Sequence, residues 1–249
     1  MTQSSALQKI SNIYESNPLI RAIVQVAISP VPYGFGSAID TYLTSKVENM
    51  REERLRHFFS KLADGSHVLT EELIQSEDFL HAYFSTLKAA LNSRRKVKIN
   101  LFAQLLLTAC REQYLSSEKY EEFLNILDDL SVRELHILLI LKNFEDAQTP
   151  ELDTNRENEN DLQVANSFWK DFEAMVQNKY TVSSSELRAI LNRLNRTGLY
   201  ETFHGTYLDY TGGKGKLTPV FSEFVYWIQA EEEGFSQEDI DISIKAYEV

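Results

Sequence analysis

Between Ser183 and Thr218 the apolar residues change period, and that change limits the folds open to this chain. Leu187, Ile190, Leu191 and Leu194 recur at i, i+3, i+4 and i+7, the spacing of one buried helix face. Ser183, with Glu186 three residues on, has capping-box spacing. Gly198 then supplies a stop, and Gly212–Gly213 a tight turn. The stretch predicts a helix over 184–196 followed by a two-stranded hairpin that includes the strand TYLDY (206–210). A mainly α fold carrying one small β-hairpin satisfies this order.

The rest of the chain reads as helix. Only nine glycines and five prolines occur in 249 residues, too few turn formers for a many-stranded fold. Helical spacing over 5–29 (Leu7, Ile10, Ile13, Tyr14) ends at a bend marked by Pro30, Pro32, Gly34 and Gly36. A long helix follows over 37–63, with Ile39, Tyr42, Leu43, Val47, Met50, Leu55, Phe58, Phe59 and Leu62 inward and a charged outer side. Shorter helices are predicted over 70–75, 77–91, 96–111 and 117–130, with Ser76 and Ser116 or Ser117 as N-caps. The run KVKINLFAQLLLTAC (96–110) is apolar on most sides and predicts the core of a helical bundle spanning residues 1–130.

Ser131 and Glu134 have capping-box spacing and open a second domain, 131–230. Its first helix, 131–144, is followed by the polar, acidic run 145–163, which predicts an exposed insertion. A calcium loop is excluded there: Asn158 stands where the turn needs glycine, and Val164 where a bidentate glutamate belongs. Helix 164–179 carries Phe168, Trp169, Phe172, Met175 and Val176 inward. Pro219 starts a last helix through Val220, Phe221, Phe224, Val225, Trp227 and Ile228, and residues 231–249 form an acidic tail.

Charge is unevenly spread. Net charge is −12; residues 131–162 hold 3 basic and 8 acidic side chains, 163–230 hold 7 and 6, and 231–249 hold 1 and 7. The helix–hairpin stretch is thus spared the acid around it. With Leu187, Ile190, Leu191 and Leu194 inward, the side chains of Arg188, Asn192, Arg193, Asn195 and Arg196 face out or sideways, and Lys214 and Lys216 stand beyond the turn. Arginine and asparagine make paired bonds to base edges and also bind phosphates, while the bland alternative is a solvated arginine-rich face. The densest basic cluster, Arg94, Arg95, Lys96 and Lys98, is a secondary candidate phosphate patch or the solvated start of an apolar helix.

Taken together, 131–229 resembles a winged helix-turn-helix domain. NRLNRTGLYE is similar to the end of many bacterial recognition helices, and TYLDY, TGGKG and KLTPVFSEFVYWI to a wing followed by a closing helix. That resemblance implies binding to DNA, with Arg188, Asn192, Arg193 and Arg196 in the major groove and Lys214 and Lys216 on the backbone, or to a protein partner. The N-terminal half resembles helical regions of uncharacterised bacterial proteins. The alternative is an interaction or structural module of a stress or phage-defence system.

Catalysis is not indicated. The five histidines (57, 67, 81, 136 and 204) show no helical metal spacing, TGGKGKLT fails the phosphate-loop pattern, and neither a nucleophile elbow nor a dinucleotide loop is present. No cofactor, metal or small-molecule substrate is expected. The single Cys110 lies in an apolar run, which excludes an intrachain disulfide and fits a cytoplasmic setting. The apolar segment 18–39 is interrupted by Arg21, Gln25, prolines and glycines, so membrane-surface or partner contact is open to it but not a span.

Overall fold

The computed structural model describes residues 37–65, 68–148, 161–203 and 213–236. The helix expected at 5–29, most of the apolar 18–39 segment, the strand TYLDY and the tail beyond Ser236 lie outside the described residues. The chain divides into two compact units between Asn125 and Ile126. Among the described residues no helix is long and apolar enough to cross a membrane.

The first unit is helical. It contains α1 (Ser37–Asp64), α2 (Glu71–Gln75), α3 (Glu77–Asn92), α4 (Lys96–Glu112) and the start of α5 (Glu118–Asp129). Short polar side chains set the boundaries, at Ser76 and Ser117 as the sequence predicts and at Thr70, expected inside the helix, as a further cap. Thr70 accepts the Leu73 amide at 3.2 Å and Ser76 the Phe79 amide at 3.2 Å, satisfying donors that have no partner inside the helix. Ser117 does the same for Tyr120 at 3.2 Å.

The centre of this unit is α4, buried continuously from Leu101 to Cys110, with α1 and α3 packed against it. Such a helix can be apolar all round because no side of it meets water. Phe58 of α1, Phe102 of α4 and Phe123 of α5 are all buried, each such burial worth about 1.5–3 kcal/mol. Tyr120 is buried too, and its hydroxyl meets Thr86 and the Ala82 carbonyl. Met50, expected on the inward side of α1, is exposed. Helical spacing identifies a face but not which of its turns find something to pack on.

The second unit runs α6 (Val132–Gln148), α7 (Asp161–Tyr180), α8 (Ser184–Leu194), a 3₁₀ turn (Asn195–Thr197), β1 (Tyr200–Thr202), β2 (Gly215–Leu217), α9 (Pro219–Ile228) and a second 3₁₀ turn (Glu232–Gly234). Every residue of α6 from Val132 to Leu141 is buried. Helix α7 packs on α6 and on α8, and β2 lies against both α6 and α7. Phe144, Phe168, Trp169 and Phe172 form one aromatic cluster between α6 and α7, with Trp169 and Phe172 centroids 5.2 Å apart.

Three boundaries differ from the sequence reading. The acidic insertion is shorter than 145–163: α6 continues through Gln148 and α7 begins at Asp161, because Glu145 faces β2 and Leu162 is buried. The helix expected over 184–196 ends at Leu194, and Asn195–Thr197 tighten into a 3₁₀ turn before Gly198, whose φ of 74° ends it. The described strand pairing also lies earlier than TYLDY, matching Tyr200 with Leu217, Glu201 with Lys216 and Thr202 with Gly215. This register brings Gly215 so close that a Cβ there would fall 2.1 Å from the Glu201 carbonyl oxygen.

A polar clasp holds the end of the described chain to α6. His136 is fully buried and stacks on Phe235 at 4.9 Å. Lys179 Nζ lies 3.3 Å from its Nε2, Glu232 Oε1 3.6 Å from the same nitrogen, and the Tyr180 hydroxyl meets its Nδ1. Lys179 also donates to Glu232 at 2.9 Å, and Asn143 donates to the same carboxylate at 2.6 Å. His136 is therefore a packed residue whose two ring nitrogens both meet partners within the unit.

Candidate interaction face of α8

Helix α8 is amphipathic and both of its edges are tied down. Leu187, Ile190, Leu191 and Leu194 are buried, while Ser184, Ser185, Arg188, Ala189, Asn192 and Arg193 are exposed. The predicted capping box is complete: Ser183 accepts the Glu186 amide at 3.3 Å, and the Glu186 carboxylate accepts the Ser183 amide at 2.9 Å. The Ser183 amide and the Ser183 hydroxyl, which donates to the same carboxylate oxygen at 3.0 Å, hold the Glu186 carboxyl below the usual carboxylate range.

At about 100° per residue, Ser185, Ala189 and Asn192 fall on one strip, continued into the turn by exposed Arg196. Arg188 and Arg193 project from opposite edges of that strip. Ser185 and Ala189 are small, so the strip between the two guanidinium groups carries little side-chain bulk.

The edges are built differently. On one side, Arg188 Nε lies 3.1 Å from where a Cβ on Gly213 would begin, so this arginine stands beside the hairpin. On the other, Arg193 Nε donates to Glu134 Oε1 at 2.9 Å. Glu134 is itself the capping residue of α6: its Oε2 accepts the Ser131 amide at 2.9 Å and hydroxyl at 2.7 Å, and Ser131 Oγ accepts the Glu134 amide at 3.1 Å. Burial works to raise the Glu134 pKa, but the bonds from Ser131 and Arg193 outweigh it and hold the carboxyl low.

The remaining expected site residues are placed as follows. Asn195 is exposed, and its Oδ1 accepts the Thr202 amide at 3.3 Å, which joins the 3₁₀ turn to β1. Lys214 donates to Asn166 Oδ1 on α7. Lys216 donates to Asp161 at 2.6 Å and lies 3.2 Å from Glu201, and both carboxylates raise its pKa. The structure thus gathers Arg188, Asn192, Arg193 and Arg196 on one face and engages Lys214 and Lys216 with neighbours inside the unit.

The basic patch lies in the first unit. Arg94 is exposed, Arg95 occupies the N-cap position of α4, Lys96 lies 3.2 Å from Glu53, and Lys98 sits 5.7 Å from the Phe102 ring centroid. Arg54 joins it from α1 by donating to the Leu91 carbonyl. Among the described residues no group of three or more His, Cys, Asp or Glu side chains is arranged to hold a metal.

Sequence reasoning did not find Glu134 as the partner of Arg193, or the roles of Ser185 and Ala189. The capping-box spacing marked Glu134 for its own helix, but its second contact crosses 59 residues of chain. Helical phase alone brings Ser185 and Ala189 into the strip with Asn192.

No protein-family model, no curated protein and no solved structure matches the chain.

Proposed function

We propose that the second unit is a non-catalytic, winged-helix-like interaction module whose contact surface is the outer face of α8, and that its partner is a protein. The observation that carries this reading is the exposed Ser185–Ala189–Asn192 strip, continued by Arg196 and bordered by Arg188 and Arg193. The order of three helices, hairpin and closing helix supports the winged-helix comparison, with α8 in the position of the recognition helix.

Charge favours protein over nucleic acid. Residues 126–249 hold 11 basic and 23 acidic side chains, so the whole net charge of −12 resides in the second unit, and a duplex charged along its entire length meets a long-range repulsion that a short segment opposite two arginines largely escapes. On the hairpin, Lys216 is neutralised by Asp161 and Glu201, where a DNA-binding wing would present its cation to phosphate. The second reading, duplex DNA, is favoured by the side chains of the strip itself, since Arg and Asn are the readers of guanine and adenine edges.

Fluorescence anisotropy with a random duplex at low and at moderate salt, for wild type and Arg188→Glu/Arg196→Glu, separates the two. The protein reading expects no duplex binding in either protein. Salt-sensitive binding that the double substitution abolishes would overturn it. A photocrosslinker placed at Ala189 supplies the positive arm, with a discrete protein adduct lost in the double variant as the expected result.

A further inference from the structure

Arg193 looks at first like a residue lost to the interaction face, because Glu134 already holds it. The geometry says otherwise. The bond to Glu134 uses Nε, the inner nitrogen of the guanidinium, and Arg193 keeps 46% of its side-chain surface exposed against 11% for Glu134. Nη1 and Nη2 have no other partner among the described residues. A guanidinium gripped at Nε is fixed in orientation and presents its remaining two nitrogens as a planar fork, the geometry that binds a carboxylate through two parallel bonds.

The grip is itself rigid. Glu134 is locked by Ser131 through the α6 capping box, and it stands in the fully buried stretch of α6. Three linked elements therefore fix one guanidinium: the Ser131 cap, the Glu134 carboxylate and the Arg193 Nε. A long flexible side chain that would lose rotamer freedom on binding has lost much of it beforehand.

From this we infer that Arg193 is a preorganised anchor for a carboxylate on an acidic protein segment, with Glu134 as its positioning residue. The inference rests on the reading of α8 as an interaction face and specifies its partner's chemistry. An acidic chain laid along Ser185, Ala189 and Asn192 meets a guanidinium at each edge, Arg188 beside the hairpin and Arg193 beside α6. The small residues between them let its backbone approach.

The test is a titration of the full-length protein with a short oligo-glutamate peptide, followed by the side-chain NMR signals of the arginines. A duplex of equal charge and an oligo-glutamine peptide run in parallel. The expected result is saturable movement of the Arg193 signals by oligo-glutamate alone. Affinity falls at least about fivefold in Arg193→Lys, which keeps charge but loses the fork, and also in Glu134→Gln, whose single amide oxygen cannot accept from both Arg193 Nε and the Ser131 amide. Circular dichroism and the melting temperature of each variant are measured alongside.

Unchanged peptide affinity in both variants, with only the melting temperature lowered, would make Glu134–Arg193 a helix-to-helix staple and overturn the inference. Movement of Arg188 and Arg196 while Arg193 stays still removes the anchor but leaves the interaction face standing. A response to the duplex in preference to the peptide assigns the fork to phosphate and overturns the acidic-segment partner. No movement of any arginine with either probe overturns the inference and the proposed face together.

Discussion

The carboxylate of Glu145, near the end of α6, accepts the backbone amide of Leu217 at 3.0 Å, so one side chain ties the second strand to the core helix. Burial pushes its pKa up to about 7, helped by Asp146 and Asp161 and opposed by the Leu217 bond and Lys216. The folded state therefore binds a proton that the unfolded chain releases near the ordinary glutamate value. Its stabilising contribution is complete below that value and lost as pH rises through about 7. Denaturation followed by the fluorescence of Trp169 and Trp227, both in the second unit, should show stability falling across this window. Glu145→Gln should flatten the dependence and gain on the order of 2 kcal/mol above neutrality, allowing for its partial exposure. An unaltered pH profile in the variant would remove Glu145 from this role.

Gly215 has no room for a methyl group, since a Cβ would lie 2.1 Å from Glu201 oxygen and 2.5 Å from the Tyr200 ring. Gly215→Ala should cost about 1–3 kcal/mol or more and pull β2 from β1. Amide hydrogen exchange at Phe203 and Thr218, whose amides bond across the hairpin to the Lys214 and Leu199 carbonyls, reads this directly, with faster exchange as the expected outcome.

Thr108 is fully buried on α4, and its hydroxyl has no hydrogen-bond partner among the described residues. Replacing it with an apolar side chain of similar size removes that cost. Thr108→Val should leave the fold unchanged and raise stability by up to about 1 kcal/mol in chemical denaturation, whereas a partnered hydroxyl would give a loss.

Cys110 is 5% exposed, and burial pushes its thiol pKa up to about 12. Thiolate is the reactive form, so alkylation under native conditions should be slow and should accelerate only with denaturant. Fast labelling of the native protein would contradict the packing described for α4.

The two capping boxes should differ in cost. Ser183→Ala removes an exposed cap worth about 1 kcal/mol. Ser131→Ala also frees the buried carboxylate that holds Arg193, so its loss should be larger, and its effect on melting temperature should shrink in an Arg193→Ala background.

Local physics determined much of this protein in advance. The caps at Ser76, Ser131 and Ser183, the Gly198 stop and Pro219 at a helix start follow from bonds made within a few residues, and they are legible in the sequence. So is the buried character of α4, because an apolar run without a polar side has only the interior to occupy. Tertiary structure decided what depends on distant partners. It decided that Glu134 reaches Arg193, that Lys216 is neutralised by Asp161 and Glu201, and that β1 pairs at Tyr200–Thr202. It also decided that Glu145 belongs to a helix and not to a loop. Each of these bonds joins residues tens of positions apart, and side-chain periodicity carries no record of such a meeting. The inward face of α8 was therefore written in its spacing, while the chemistry left open on its outer face was settled by which neighbours the fold brought to its arginines.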